Sequence, residues 1–280
     1  PDFLYRIDLM QGKLTGIKPV SGYDLASRLS YFLWSSMPDA ELMERAAAGD
    51  LHEPEVLTAQ ASRMLKDPRA RALAIEFGGN WLDFRRFESL STVDRERFKT
   101  FDDNLRQAMF EEPIRFLQDV IQQNRPVLDL LYARDTFVNP ALASHYGISE
   151  FELETLVTDK DGWMHLEEAA RYQRGGLLPM AAFLTQNAPG LRTSPVKRGY
   201  WVVTKLLGER IPAPPPNVPV LPSDETKLGD LTLRQTLAQH REDKSCASCH
   251  DKFDAFGLVF EGFGPVGEVR TTDLAGRPAE

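Results

Sequence analysis

The two cysteines of this 280-residue chain lie three positions apart, and a histidine follows the second one directly. Residues 246–250 read Cys-Ala-Ser-Cys-His. Side chains at i and i+3 lie on one side of a helical turn, so both thiols can reach a single flat partner. Cys-x-x-Cys-His is the attachment signature of c-type haem. The sequence therefore predicts one haem c, bound covalently through Cys246 and Cys249, with His250 as the proximal iron ligand.

Two other chemistries use closely spaced cysteines. A thioredoxin-like redox pair opens a helix after a buried strand, whereas residues 240–245 are wholly polar. A structural zinc site needs four ligands, and the chain offers no third cysteine and no pair of histidines three to five residues apart. The haem interpretation is therefore favoured over both alternatives.

The ligand on the distal face of the iron decides the function. A second Met or His makes an electron-transfer site, whereas an open position permits peroxide or oxygen chemistry. Because no Met or His follows His250, that ligand is expected upstream, outside this chain or in water. Met180 and His145 are the upstream candidates, each with a packing role as its alternative. His165, His240 and His52 are weaker upstream candidates: His240 would need a tight reversal of the chain to reach the opposite haem face, and a surface or packing role is the alternative for each.

Basic and aromatic residues upstream of the motif are candidates for further contacts with the haem. Arg192, Lys197 and Arg198 are predicted to pair with the propionates, since arginine can bind a carboxylate through two parallel hydrogen bonds. Solvated charges at a helix start are the equal alternative. Tyr200 and Trp201 either lie near the porphyrin or belong to the core.

Helical periodicity dominates the elements that must position these residues. Apolar side chains at helical spacing predict helices from Ser21, over 39–49, 54–66 and 101–123, and Pro113 is expected to kink or divide the last of these. Residues 151–165 are expected to hold a short strand pair. The predicted fold is mainly α: a helical bundle domain, then a Pro-rich strap and a small c-type haem-binding module.

The predicted organisation has four parts. Residues 1–19 are the tail of a preceding module or a hairpin, and 20–150 form the helical domain. Residues 151–222 form a middle helical module that ends in the proline-rich strap, an extended spacer. The haem-binding module is 223–280, where closely spaced glycines allow backbone to approach a flat cofactor or to turn.

Composition excludes two classes of partner. The net charge is −8 and no basic run is present, which argues against nucleic acid. No segment approaches 18 consecutive apolar residues, so no membrane span is predicted within the chain. The remaining composition, 42% hydrophobic and 26% charged, is that of an ordinary globular protein.

Several motifs together resemble the planctomycete-type multi-domain cytochrome c family. The C-terminal group consists of residues 246–250, Phe-Asp-Ala-Phe-Gly-Leu at 253–258 and Glu-Gly-Phe-Gly-Pro-Val-Gly at 261–267. The middle group consists of Arg-Gly-Gly-Leu-Leu at 174–178 and Arg-Thr-Ser-Pro-Val-Lys-Arg-Gly at 192–199. The third group consists of Thr-Phe-Val-Asn at 136–139 and His-Tyr-Gly at 145–147. The family's usual Asp-Pro is replaced by Asp254-Ala255, and its Asn-Phe-Asp-like segment by Gly-Phe-Gly at 262–264.

The resemblance implies an exported protein, on the periplasmic or extracellular side of a bacterial membrane, built with further modules of unknown function. The expected function is a mono-haem c-type cytochrome that passes single electrons to or from a redox protein. The alternatives are a haem peroxidase or oxygenase with an open distal iron site, and a haem-bearing subunit of a larger assembly. In the last case residues 20–150 would be the interaction platform, with Trp81, Phe84 and Phe87 on its docking surface.

Overall fold

A computed structural model of the chain describes residues 19–89, 92–213, 218 and 221–279. Only residue 19 of the predicted N-terminal tail or hairpin is described, and half of the proline-rich strap at 211–222 lies outside these residues. By compactness the chain divides into two units, residues 1–77 and 78–280. This division follows from how the chain packs in space, whereas the predicted module boundaries at 150 and 222 follow from sequence pattern, and those boundaries stay a prediction.

The first unit is helical, and local sequence sets its helix ends. Its elements are α1 (Gly22–Trp34), α2 (Ala40–Ala48), α3 (Pro54–Lys66), a 3₁₀ turn (Pro68–Ala70) and α4 (Arg71–Leu73). Side-chain oxygens of Ser21 and Asp39 accept backbone N–H groups at the starts of α1 and α2, and Gly49 ends α2 with φ 79°. These caps satisfy groups that a helix leaves unpaired at its ends. The three predicted helices are confirmed here.

The second unit contains the remaining helices and a two-stranded sheet. Its elements after a π-helical turn (Ala74–Gly78) are α5 (Gly79–Trp81), α6 (Asp103–Gln122), α7 (Asp129–Tyr132), β1 (Thr136–Val138), α8 (Pro140–Tyr146), α9 (Glu150–Leu153), β2 (Met164–Leu166), α10 (Ala181–Gln186), α11 (Pro195–Trp201), a second π turn (Val202–Leu206), α12 (Leu233–His240) and α13 (Lys244–Leu258). Short 3₁₀ helices cover Phe87–Ser89, Ala169–Tyr172 and Glu225–Lys227. The predicted mainly α class is confirmed. No helix in the described parts of the chain is both long and apolar enough to cross a bilayer.

Two local predictions need correction. Helix α6 is continuous through Pro113, so the predicted division is wrong. An interior proline costs about 3 kcal/mol, but ten side chains of α6, Pro113 among them, are buried, and burial of one large apolar side chain contributes about 1.5–3 kcal/mol. The strand pair expected within 151–165 is reduced to one antiparallel bridge between Thr158 and Met164, while the strand β2 that starts at Met164 pairs antiparallel with the earlier β1.

Aromatic side chains form the core of the second unit. Phe84 and Phe87 are only 0% and 2% exposed, and the ring centre of Phe183 lies 5.7 Å from that of Phe84 and 4.6 Å from that of Trp201. The indole N–H of Trp201 donates to the Leu82 carbonyl at 2.8 Å. The predicted docking role of Phe84 and Phe87 is therefore wrong, whereas Trp81 is half-buried and donates its indole N–H to the Lys205 carbonyl.

A buried carboxyl group joins two of the motifs noted in the sequence. Glu112 of α6 is 0% exposed and accepts hydrogen bonds from the Tyr146 hydroxyl at 2.6 Å and the Thr136 hydroxyl at 2.7 Å. The Arg174 guanidinium lies 3.9 Å from the ring centre of Tyr146. Residues from the 136–147 and 174–178 motifs thus meet in a structural junction.

The stability of the chain is expected to depend on the protonation of Glu112. Burial raises the pKa of Glu112 from 4.5 to about 7. Between these pH values Glu112 holds a proton in the folded chain that it has released in the unfolded chain, so its contribution to the free energy of unfolding falls as pH rises from 4.5 to about 7 and then levels off. The difference between the two pKa values corresponds to about 3 kcal/mol of stability.

Urea unfolding of the wild type and of Glu112→Gln across this pH range tests the expectation. Because glutamine does not ionise, the stability of the wild type relative to the variant is expected to decline with pH. Glu150→Gln, at an exposed position of α9, is the control and should show no such trend. A wild-type-to-variant difference that is constant with pH would contradict the assignment.

Candidate cofactor site

A cavity of about 530 Å³ lies in the second unit beside the Cys-Ala-Ser-Cys-His segment. Its walls come mainly from α11, α12, α13 and described residues of the proline-rich strap, such as Ile211 and Leu221. Apolar side chains dominate these walls, among them Val196, Leu233, Leu237 and Phe253. Both the volume and the apolar lining are typical of sites that hold a small molecule or cofactor.

The predicted attachment residues share one face of α13. Cys246, Cys249 and His250 all line the cavity, as does Phe253 one turn further on. No disulfide joins the two cysteines. Positions 246, 249, 250 and 253 recur every three or four residues, which is the spacing of one helical face. Both thiols and the imidazole can therefore address one molecule in the cavity.

Two glycines set the distance between α11 and α13. A Cβ atom on Gly199 would lie 1.9 Å from the Phe253 carbonyl oxygen, and one on Gly257 would lie 1.8 Å from the Pro195 carbonyl oxygen. Since Pro195 is beside Gly257 and Gly199 is beside Phe253, the two helices run antiparallel in backbone contact. The close approach expected of Gly257 is therefore toward protein backbone.

The His250 ring is held from behind by a buried carboxylate. Its Nδ1 lies 2.9 Å from Oδ1 of Asp254, one turn later on α13, and Arg241 donates to Oδ2 of Asp254 at 2.9 Å. The Asp254 side chain is only 1% exposed. A carboxylate accepts the ring proton at Nδ1, so Nε2 keeps its lone pair for another partner.

His240, at the end of α12, also lines the cavity. Its ring centre lies 4.7 Å from that of His250, in an edge contact. Two imidazoles bound to one metal from opposite sides have ring centres about 6 Å apart, because each metal–nitrogen bond is about 2 Å long. The observed spacing is too short for a metal between the two rings.

The three basic residues predicted for propionate contacts divide into two groups. Arg192 and Lys197 line the cavity, and Arg192 is braced by bonds to the carbonyls of Pro222 and Thr193. Arg198 is 2% exposed and donates instead to four backbone carbonyls, those of Leu184, Phe260, Phe263 and Gly264. Its predicted cofactor role is corrected to a structural one, because its donors are used within the protein.

Neither predicted distal ligand reaches the cavity wall. Met180 is 1% exposed in the core at the start of α10. His145 Nε2 lies 2.9 Å from the Val266 carbonyl oxygen, and burial lowers the pKa of His145 to about 4. Since a carbonyl only accepts, Nε2 carries the hydrogen and is not available to a metal. Of the remaining histidines, His52 bonds the Val20 carbonyl and His165 pairs with Asp135, whereas His240 lies at the cavity wall.

Buried ion pairs fix the chain that follows α13. Arg270 donates to the Glu225 carboxylate at 2.9 Å and to the Glu261 carboxylate at 3.1 Å, and it also donates to the Thr193 hydroxyl and the Glu261 backbone carbonyl. Glu225 is 0% exposed. These contacts connect the C-terminal segment to the residues before α11. They therefore stabilise the part of the cavity wall that contains Arg192.

The fold and the site define a mainly helical protein with a cofactor-sized cavity at a Cys-x-x-Cys-His helix. Residues 20–148 match the family PSD4, described as "Protein of unknown function (DUF1592)", and residues 174–273 match PSCyt3, "Protein of unknown function (DUF1588)". These are families of the planctomycete cytochrome c-type multi-domain proteins. The second match contains the whole 246–250 motif. No curated protein and no solved structure shows a significant match to the chain.

Sequence reasoning missed two residues of the site. Asp254 and Arg241 carry the hydrogen bonds behind His250, and Asp254 drew notice only as part of a family motif. The signal was present, because Asp254 is four residues after His250 on a predicted helix and therefore shares its face. The contribution of Arg241 depends on how α12 and α13 pack, which no local spacing indicates.

Proposed function

We propose that this chain carries one covalently bound haem c and passes single electrons to or from a redox protein. The observation that supports this most is the shared cavity wall of Cys246, Cys249 and His250. A metal held by protein side chains alone is less well supported, because within the described residues no three His, Cys, Asp or Glu side chains are grouped to hold an ion. When bound, the haem supplies one-electron chemistry at its iron.

Each wall residue has a defined task in this proposal. Cys246 and Cys249 would hold the porphyrin as thioethers, and His250 would bind the iron through Nε2. The apolar wall excludes water, which stabilises a low-dielectric environment around the cofactor. Arg192 and Lys197 are placed to neutralise the propionates, since both are cations at the cavity wall.

The place of action and the partner belong to the same proposal. Covalent haem attachment occurs outside the bacterial cytoplasmic membrane, so the chain is proposed to work in the periplasm or on the outer face. A redox protein, or other subunits of a larger assembly, would exchange electrons with it. The second candidate function is peroxide or oxygen chemistry at an iron with an open distal face. It gains support from the position of Met180 and His145 away from the cavity.

Expression of the chain with an export signal in a host that matures cytochromes c tests the proposal. We expect one haem per chain, retained on a denaturing gel, and a reduced low-spin spectrum that carbon monoxide does not alter. The same chain kept in the cytoplasm is the control and should carry no covalent haem. A spectrum altered by carbon monoxide would favour the second candidate, and exported chain without covalent haem would contradict both.

A further inference from the structure

We propose that Asp254, supported by Arg241, is a positioning residue for the haem ligand: it fixes the His250 ring with Nε2 free and lowers the reduction potential of the bound iron. This inference rests on the proposed function, but its first half concerns the haem-free chain. It assigns a task to two residues outside the Cys-x-x-Cys-His motif.

The geometry makes Asp254 a dedicated partner of the ring. Its Oδ1 accepts a hydrogen bond from His250 Nδ1, and its Oδ2 accepts one from Arg241, each at 2.9 Å. With its side chain 1% exposed, Asp254 has exchanged water for these two donors. An isolated buried carboxylate is costly, so the guanidinium is what allows a charged group to lie behind the imidazole.

The bond decides which ring nitrogen carries the hydrogen. An ionised carboxylate offers acceptors only, so it stabilises the tautomer with hydrogen on Nδ1. Hydrogen bonds to charged groups are among the stronger ones in proteins, and such a bond is enough to favour that tautomer about tenfold or more. The ring is thus prepared for metal binding before the cofactor arrives.

The same bond changes the electronic character of the ligand. A carboxylate that accepts the Nδ1 hydrogen increases the basicity of Nε2, and a more basic ligand stabilises oxidised iron over reduced iron. Arg241 draws part of that negative charge to itself. Its position, 26% exposed at the edge of the site, allows it to moderate the effect without entering the cavity.

The substitution Asp254→Asn tests both halves. An asparagine can turn its amide hydrogens toward Nδ1, which then has to accept, and the ring hydrogen moves to Nε2. In the haem-free protein, ¹⁵N NMR of the neutral His250 ring is expected to show the Nδ1–H form in the wild type and a ratio changed about tenfold or more in the variant. In the haem-loaded protein, a tenfold loss of preference for oxidised iron raises the potential by about 59 mV.

Asp251→Asn is the matched control. It removes one negative charge next to His250, but the Asp251 side chain is 71% exposed, and its carboxylate approaches Arg241 at 4.0 Å rather than bonding the ring. It should leave the tautomer unchanged and shift the potential much less. Equal shifts from both variants would overturn the inference, because a plain charge effect would then explain them. So would a wild-type ring with its hydrogen on Nε2, a result that does not depend on any variant folding.

Failure of the proposed function is distinguishable from failure of this inference. A wild-type chain that takes up no haem contradicts the function. The tautomer measured in the haem-free chain then still decides whether Asp254 fixes the ring. An Nδ1–H ring that Asp254→Asn does not change would overturn the inference even in a chain that binds haem.

Discussion

The double substitution Cys246→Ser and Cys249→Ser is expected to abolish covalent haem attachment completely. Thioether bonds need sulfur, since the thiolate is the nucleophile that a serine hydroxyl cannot replace at neutral pH. Both side chains are half-buried at the cavity wall, and serine is close to cysteine in size, so the fold is expected to persist. Haem staining on a denaturing gel measures the loss, and circular dichroism checks the helix content.

Single substitutions separate the two attachment points. With one thioether left, the reduced pyridine complex is expected to absorb at longer wavelength than the wild type, because one vinyl group stays conjugated with the porphyrin. Ser248→Ala, between the two cysteines, is the control and should keep normal attachment. Haem that resists acid extraction in the double variant would contradict the assignment of both cysteines.

Replacing Gly257 by alanine is expected to destabilise the second unit by about 2 kcal/mol or more. The new Cβ would lie 1.8 Å from the carbonyl oxygen of Pro195 and 2.5 Å from its carbonyl carbon, and both atoms are backbone. Overpacking of this kind costs about 1–3 kcal/mol and occasionally more, whereas the better helix propensity of alanine returns only about 1 kcal/mol. The steric term is therefore expected to prevail, and urea unfolding measures the result.

Gly262→Ala provides the matched control, since the nearest atom to a Cβ at Gly262 is the Arg270 carbonyl oxygen, 4.0 Å away. It should change stability by less than about 1 kcal/mol. Gly199→Ala is expected to act like Gly257→Ala, and the double variant to cost less than the sum, because both disturb the same helix contact. Unchanged stability in Gly257→Ala would show that α11 and α13 do not touch as described.

The sequence predicted the parts of the fold that local physics controls. Helix α2 follows from Asp39 at its start and Gly49 at its end, and α3 from its apolar spacing and Pro54. The attachment motif could also be recognised from sequence, because its recognition depends only on the spacing of residues on one helix. A strand such as β2 was harder to assign, because its partner lies 26 residues earlier in the chain, at Val138 opposite Met164.

Predictions that depended on packing failed for physical reasons. Arg198 and Arg192 look alike in sequence, yet Arg198 faces into the core and Arg192 lies at the cavity wall. Met180 and His145 were candidates by residue type, but the direction of each side chain is set by how α8 and α10 pack. Sequence periodicity predicts which residues share one face of a helix, but it does not predict what that face packs against.

One stripe of α13 carries Cys246, His250, Phe253 and Gly257. The two ends of the stripe are separated by eleven residues, close to three full turns of an α-helix at about 3.6 residues per turn. The helix therefore cannot roll about its axis to re-aim its thiols without turning Gly257 out of its contact with Pro195. The orientation of α13 about its own axis is therefore fixed. A single residue inserted between His250 and Gly257 would rotate one end of the stripe by about 100° relative to the other.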